Sequence, residues 1–478
     1  MKKIISLIIV CILILSGCSN NQEDYGLNPD KPVEISIWHY YNGTQNNKFN
    51  GMVQSFNESV GLKEGIKVTA SSLGSINEVG SQVMASLNKE EGAKKMPDIF
   101  SAYRDLGYDV NKKNAAVDLK KYLSEKELDY YNEDFIKEGM FDKQLLIFPT
   151  SKCSELLMLN KTDWLPFAKA TNSTIRELST WEGLLKVAKR YYEYTDDLTA
   201  TLNDGSAFFG RDAFANYMYV GSEQLDSHLF SIENGKAKVT LDKKIIKKLW
   251  DHYYMPYVSG YFLSEGKFAS DDAKTGDILS YVGSSSSASY FPKEVTIDDT
   301  QTHSIESIFL NAPQFTDGEK IVIQQGAGMM VAKSNKKQEY AATLFLKWFT
   351  QAKRNLEFSI DSGYVPVSKE TTNEKNYQSM VKKLDGEYNR NVVAGNTQTI
   401  KQFAQNKAFV NDAFDHSFEL RKVLETSMPN KAKEDRAIVV SRLDKGESLD
   451  EILVDYRKED HFNKWFNEFE TQLKECIQ

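Results

Sequence analysis

The sequence predicts an α/β protein of two lobes, and three observations carry that prediction. From Val33 onward short alternating runs exchange with amphipathic stripes, the βαβα order of a parallel sheet covered by helices. The stretch from Gln324 to Ser368, QQGAGMMVAKSNKKQEYAATLFLKWFTQAKRNLEFSIDSGYVPVS, sets a small-residue approach, a short apolar strand, a helix and a rigid turn one after another. With 478 residues the chain exceeds what a single hydrophobic core organises, so two large lobes are the natural division.

Lys2 and Lys3 precede Ile4 to Leu15, a run that is apolar apart from Ser6. It suits the hydrophobic region of a secretory signal and falls short of the roughly 20 residues of a spanning helix. Leu15-Ser16-Gly17-Cys18 resembles a lipobox, in which residues 1–17 are removed and the cysteine is lipidated. Acyl chains contribute about 0.8 kcal/mol per buried methylene, and two chains hold a protein stably on a bilayer. Cys18 is therefore expected to be a membrane anchor. Residues 18–32 are polar and carry Pro29 and Pro32, so they are expected to form a flexible tether on which nothing packs.

Loss of Lys2 and Lys3 takes the formal net charge from −8 to −10. An acidic chain of this kind is not expected to bind nucleic acid. Once Cys11 leaves with the signal and Cys18 is lipidated, Cys153 and Cys476 remain, and their pairing is open but not favoured.

In chain order, Val33, Ile35 and Ile37 alternate with polar residues into Trp38, a first strand whose carboxyl end delivers His39-Tyr40-Tyr41-Asn42-Gly43. Ligands of open α/β sheets bind beyond such ends. Phe49, Met52, Val53 and Phe56 form a helical stripe, Ile66 and Val68 a second strand, Ile76, Val79, Val83 and Leu87 a second helix, and Met96 to Phe100 a third strand. A helix near Glu125 to Lys137 leads to Leu145-Leu146-Ile147-Phe148-Pro149, where the proline keeps Phe148 extended. Leu156 to Lys161 is a strand, and Thr180 caps a helix that buries Leu184, Leu185, Ala188, Tyr191 and Tyr192. Between 195 and 275 only generic helices are legible, near Arg211 to Tyr219 and Lys243 to Tyr254. Asp277 to Val282 then runs into Gly283-Ser284-Ser285-Ser286-Ser287, a strand-to-helix turn whose amides and hydroxyls can face a cleft. Asn335 and Gln338 resemble a capping box before a stripe of Ala341, Leu344, Phe345, Trp348, Phe349 and Ala352. The last hundred residues read as helices over Phe403 to Glu425, Ser427 to Leu443 and Asp460 to Cys476, expected to pack on the second lobe.

These motifs together resemble the family-one extracellular solute-binding proteins of ABC transporters, in the branch that binds oligosaccharides and glycerol-3-phosphate. The resemblance rests on Met96-Pro97-Asp98, Leu145 to Pro149, Leu156 to Lys161, Ser179-Thr180-Trp181-Glu182, the Gly283-Ser284 turn, the run Ala342 to Trp348 and Gly363-Tyr364-Val365-Pro366-Val367. It implies a fold like that of the type II periplasmic binding proteins, with two α/β lobes, a hinge and a ligand cleft. The first lobe would comprise 33–148 with 312–352 and the second 149–311 with 353–478, with crossings at Phe148-Pro149 and at Ala312-Pro313. It also implies a monomeric receptor on the extracellular face of the membrane that delivers ligand to a permease and uses no cofactor. Ligand contacts are expected from Trp38, Tyr40, Tyr41, Tyr103, Gln325 and Gly326 of the first lobe and from Ser284, Ser285 and Tyr364 of the second lobe and hinge. Flat aromatic rings with an amide and hydroxyl rim suit a neutral oligosaccharide, and the loss of Trp38 is expected to weaken binding. A phosphorylated polyol held by the serine turn is the alternative.

An anchored carbohydrate hydrolase is the rival from another class. It needs two carboxylates flanking a scissile bond, and Glu155, Asp98 and Asp105 meet that need in number only. No GxSxG, HExxH or Walker A sequence occurs, and His39, His228, His252, His303, His416 and His461 lack metal-ligand spacing. No enzyme and no metal site is expected.

Overall fold

The computed structural model of the chain describes residues 25–233, 236–298, 301–384 and 388–477. Cys18 and the signal lie outside them. Strand β1 (Val33–His39) buries alternate residues and then every residue from Ile37, as it passes beneath helices on both faces. Helix α1 (Gly43–Phe56) lays Phe49, Met52, Val53 and Phe56 on the sheet, β2 (Ile66–Ser72) follows, and α2 (Ile76–Asn88) starts where the Ser75 hydroxyl accepts the Glu78 N–H. β3 (Ile99–Ala102) is wholly buried and runs into α3 (Arg104–Lys112). β1 is parallel to both neighbours, with Ile37 opposite Ala70 on one side and Ile99 on the other.

The second sheet begins with β4 (Glu155–Asn160). Thr180 caps α4 (Trp181–Asp196) as expected, its Oγ1 accepting the Gly183 N–H at 3.1 Å. β5 (Ala207–Arg211), α5 (Phe214–Gln224), α6 (Lys243–Val258), β6 (Ile278–Ser284) and β7 (Ser307–Asn311) complete a sheet of order β7-β4-β6-β5, in which only β5 and β6 are parallel. After β8 (Ile321–Ile323) the chain returns to the first lobe as β9 (Gly328–Val331), antiparallel to β3, which gives the order β9-β3-β1-β2. The expected parallel sheet is thus a mixed one. Helix α7 (Lys336–Phe349) has the Asn335 cap, but Gln338 reaches across to the Glu34 carbonyl at 2.6 Å instead of closing a capping box. The stripe read through Ala352 breaks at Thr350, and α8 (Ala352–Ser362) starts afresh. Helix α9 (Arg390–Gln405), β10 (Lys407–Phe409) parallel to β8, α10 (Ser417–Leu443) and α11 (Glu459–Cys476) finish the chain. Among the described residues no helix is long and apolar enough to cross a membrane, and Cys153 and Cys476 are unpaired.

Three expectations change. Tyr25 stacks on Tyr340 with ring centres 3.9 Å apart and leans on Tyr122, Leu27 packs against the first core, and the Asn28 carbonyl lies against Gly65 where no Cβ stands. The end of the tether is therefore docked, because its one aromatic residue finds an aromatic slot. The segment 353–381 packs on the first lobe, not the second: Leu356, Phe358, Val367, Tyr377 and Val381 share a core with Phe49 and Phe345. Ala312-Pro313 is not a crossing, since Phe315 beyond it sits in the second core and Gln314 still pairs with Thr180. The chain crosses at Gln324 to Gly326. The tail helices α10 and α11 do pack on the second lobe, through residues such as Leu424, Met428 and Trp465.

His39 illustrates how closed the first core is. It is fully buried, its Nδ1 accepts the Tyr41 N–H, and burial pulls the imidazole down to about 4. Between pH 6.5 and 4 the unfolded chain takes up a proton that the folded chain refuses. Stability is therefore expected to hold above pH 6.5 and to erode by at most about 3 kcal/mol as the pH falls towards 4. Urea midpoints across this range should fall less for His39→Gln than for the wild type, and parallel curves would refute the assignment.

Candidate functional site

Three backbone segments lie side by side between the lobes. Phe148 pairs with Met329, Cys153 with Gln325, and Lys152 with Val365. Gly326 makes this approach feasible: its φ is +96°, and a Cβ there would stand 2.7 Å from the Ser151 carbonyl oxygen. Beneath it a buried Lys152 ammonium meets Glu138 at 2.7 Å and donates to the Gly326 carbonyl at 2.9 Å, while Gln324 Nε2 donates to the other oxygen of Glu138. Ser285 fastens the second lobe to the same place, giving its N–H to the Ser154 carbonyl at 2.7 Å and accepting the Ser154 N–H on its hydroxyl at 3.1 Å.

Beside this hinge the lobes enclose a cleft whose centre is Tyr103, a half-buried residue just before α3 that makes no capping bond and lines three adjoining cavities. The outer cavity, about 530 Å3, is walled by Tyr103, Gln325 and Tyr364 on one side and by Phe214, Tyr253, Phe268, Ser284, Ser286 and Ser287 on the other, with Arg211, Asp212, Lys267 and Glu425 as its charged residues. The inner one, about 150 Å3, is lined by Tyr103, Arg104, Gln324, Gln325, Asn411 and Arg421 among others. The third, about 660 Å3, opens between α2, α3 and the start of α10, where Lys112 and Asp415 join the two lobes in an ion pair of 2.5 Å.

Of the predicted contacts, the structure brings Tyr103, Ser284, Gln325 and Tyr364 to the outer cavity. Tyr40 stands behind it, donating its hydroxyl to that of Tyr364 at 3.1 Å, and burial together with the Tyr364 phenol pushes its own phenol well above the usual range. The other four are corrected. Trp38 is 8% exposed and packs with Val79, Val83 and Phe100 in the core beneath α2, because the residue register that sets it opposite Phe100 also sets it under that helix. Tyr41 is fully buried against Phe49 and Phe358, with its hydroxyl 3.3 Å from Ser151. Gly326 and Ser285 are buried hinge fasteners that line none of the three cavities.

The sequence reading missed most of the second wall. Phe268 is 54% exposed at the outer cavity and Phe418 is 50% exposed at the third. Each is an aromatic residue isolated among polar neighbours, Gly266-Lys267-Phe268 and His416-Ser417-Phe418-Glu419, and that isolation is the signal that could have found them. Arg211 is held by buried Glu155 at 2.7 Å, whose other oxygen accepts from Asn216 at 2.8 Å. Burial pushes the neighbouring Asp212 carboxyl up to about 6, even though Ala269 N–H donates to it at 2.9 Å. Burial also pushes the Cys153 thiol up to about 11, which leaves it an unreactive wall residue. The first N–H groups of α5, at Phe214 and Ala215, are taken by the two oxygens of Glu425 at 2.9 and 2.8 Å. Among the described residues no three His, Cys, Asp or Glu side chains are placed to hold a metal ion.

The model of the bacterial extracellular solute-binding proteins matches residues 51–384. No curated protein sequence matches the chain. Among solved structures, the cyclic alpha-maltosyl-1,6-maltose binding protein of Arthrobacter globiformis superposes with a TM-score of 0.65 at 18% identity, covering 93% of this chain and 100% of its own. UgpB of Mycobacterium tuberculosis, in complex with glycerophosphocholine, gives 0.64 at 14%, with the same coverage. The maltotriose binding protein of Thermus thermophilus, bound with maltotriose, gives 0.58 at 14%, again covering 93% and 100%. At these identities the likeness is one of fold, that of the type II periplasmic binding proteins. By the match over the larger part of its length, the chain belongs to the bacterial extracellular solute-binding proteins, a family of binding proteins and not of enzymes.

Proposed function

We propose that the protein is a lipid-anchored, monomeric receptor of an ABC importer, which captures a neutral oligosaccharide between its lobes and hands it to the permease at the extracellular face of the membrane. One observation carries this: the outer cavity sets the rings of Tyr103 and exposed Phe268 among the hydroxyls of Ser284, Ser286 and Ser287 and the amide of Gln325. A sugar has an apolar C–H face and a rim of hydroxyls, and this lining complements both. Contacts from both lobes let the ligand favour the closed state by its differential affinity.

The backbone donors that an anion would need at the outer cavity are already engaged, and of its two cations Arg211 is tied to Glu155 while Lys267 shares the lining with Asp212 and Glu425. Ser285 N–H serves Ser154, Ser286 N–H serves the Ser284 hydroxyl, and the start of α5 serves Glu425. A phosphorylated polyol is the second reading, favoured by Arg104 and Arg421, which line the inner cavity with no carboxylate in ion-pair reach among the described residues.

Titration calorimetry against sugars and sugar phosphates separates the two. Neutral oligosaccharides should bind with little dependence on salt, and Phe268→Ala or Tyr103→Ala should each cost about 1 to 3 kcal/mol of binding. Binding of phosphate esters alone, falling steeply with salt and lost in Arg104→Ala with Arg421→Ala, would replace the carbohydrate with a phosphorylated ligand. The anchor has its own test, since Cys18→Ser should release the protein from membranes.

A further inference from the structure

The inner cavity lies where the second crossing leaves the second lobe, and it shares Tyr103 and Gln325 with the outer one. Gln324 lines it and is 4% exposed. Its amide is held in one orientation, because Nε2 donates to Glu138 and, at 3.3 Å, to the Asp134 carbonyl, so that a flip would set oxygen against two acceptors. Glu138 is in turn fixed by Lys152. Gln324 Oε1 is thereby left buried with no donor. Asn411, in the segment between β10 and α10, lines the same cavity and leaves its Oδ1 in the same condition. Buried acceptors are rarely left unpaired in native proteins unless a water or a ligand meets them.

The charges around the two acceptors balance. Arg104 and Arg421 are matched in number by Asp105 and Asp412, and the Glu138 charge is met by Lys152. A volume of about 150 Å3, against about 530 Å3 outside, suits one unit of a chain and not its length.

From these features we infer that the inner cavity is an end-recognition subsite: it takes the uncharged terminal ring of a chain whose body lies in the outer cavity, with ring hydroxyls donating to Gln324 Oε1 and Asn411 Oδ1, and so selects open chains over closed ones. The inference rests on the carbohydrate reading of the cleft. Gln324 belongs to the hinge and Asn411 to the tail of the second lobe, so a terminal ring bonded to both ties ligand capture to the position of the crossing.

Maltohexaose and α-cyclodextrin, an open and a closed chain of the same glucose units, provide the test by titration calorimetry on the mature full-length protein. The wild type should bind maltohexaose on the order of 10-fold more tightly than α-cyclodextrin, the difference of one or two hydrogen bonds. Asn411→Ala should remove most of that advantage while leaving α-cyclodextrin binding unchanged, and Gln324→Leu should likewise lower the preference for maltohexaose. Asn411→Ala lies outside the hinge and guards against a Gln324→Leu variant that fails to fold. Equal binding of both sugars, or equal losses for both in Asn411→Ala, overturns the subsite, and if both sugars still weaken in Phe268→Ala the carbohydrate reading survives it. Binding of neither sugar overturns the subsite, and a response to phosphate esters alone would then overturn the carbohydrate reading as well.

Discussion

Trp38→Ala should lower the stability of the fold by about 3 to 5 kcal/mol, the cost of emptying a packed indole site, and should leave ligand affinity unchanged. The reason is placement. Trp38 is the penultimate residue of β1, with its side chain among Val79, Val83, Phe100 and Leu106, and it lines none of the three cleft cavities. The measurement is a pair: urea unfolding for stability and calorimetry for affinity on the same preparation. A fold as stable as the wild type with binding weakened by about 1 to 3 kcal/mol, the value expected for lost burial of a large apolar group against ligand, would return the indole to the cleft.

Lys152→Met is expected to have an effect of similar size by a different route. The Lys152 side chain is 1% exposed and its partner Glu138 is 5% exposed. Removing the ammonium leaves a buried carboxylate uncompensated and takes the donor from the Gly326 carbonyl, a loss of about 3 to 5 kcal/mol. Adding Glu138→Leu should recover most of it, because a buried ion pair replaced whole by apolar groups is often close to neutral. The double variant would keep the fold and the Cys153–Gln325 backbone pairing but lose the side-chain tie between the first two crossings. Small-angle scattering should then show a broader range of lobe openings without ligand, and a profile identical to the wild type would show that the pair does not restrain the hinge.

Much of the architecture was legible because it depends on local pattern. The alternation of Val33, Ile35 and Ile37, the stripe from Phe49 to Phe56, the Thr180 cap and the short run after Gly328 each follow from rules that span a few residues. What failed depended on pairing between distant segments. Nothing near Ala312-Pro313 reveals that Gln314 pairs with Thr180, and nothing near Phe358 reveals that it meets Phe49. The cleft shows the same division. Tyr103, Ser284, Gln325 and Tyr364 were found because strand ends and turns point to a cleft wherever they occur. Trp38 and Tyr41 satisfy the same rule and are core, since a strand end can be roofed by a helix that the rule does not see. Phe268 and Asn411 were missed because they come from segments without a periodic pattern.

The docking of Tyr25 between Tyr122 and Tyr340 fixes a length. With Cys18 anchored as proposed, seven residues join the lipid to the first lobe, and a fully extended chain of that length spans at most about 25 Å. The receptor is then confined to a shallow layer over the bilayer, and every permease in its reach meets it at an effective concentration on the order of millimolar, as for other short linkers. In such a layer a receptor with weak affinity for the transporter would still engage it often. Loosening the Tyr25 dock would lengthen the leash and dilute that encounter without touching the ligand cleft.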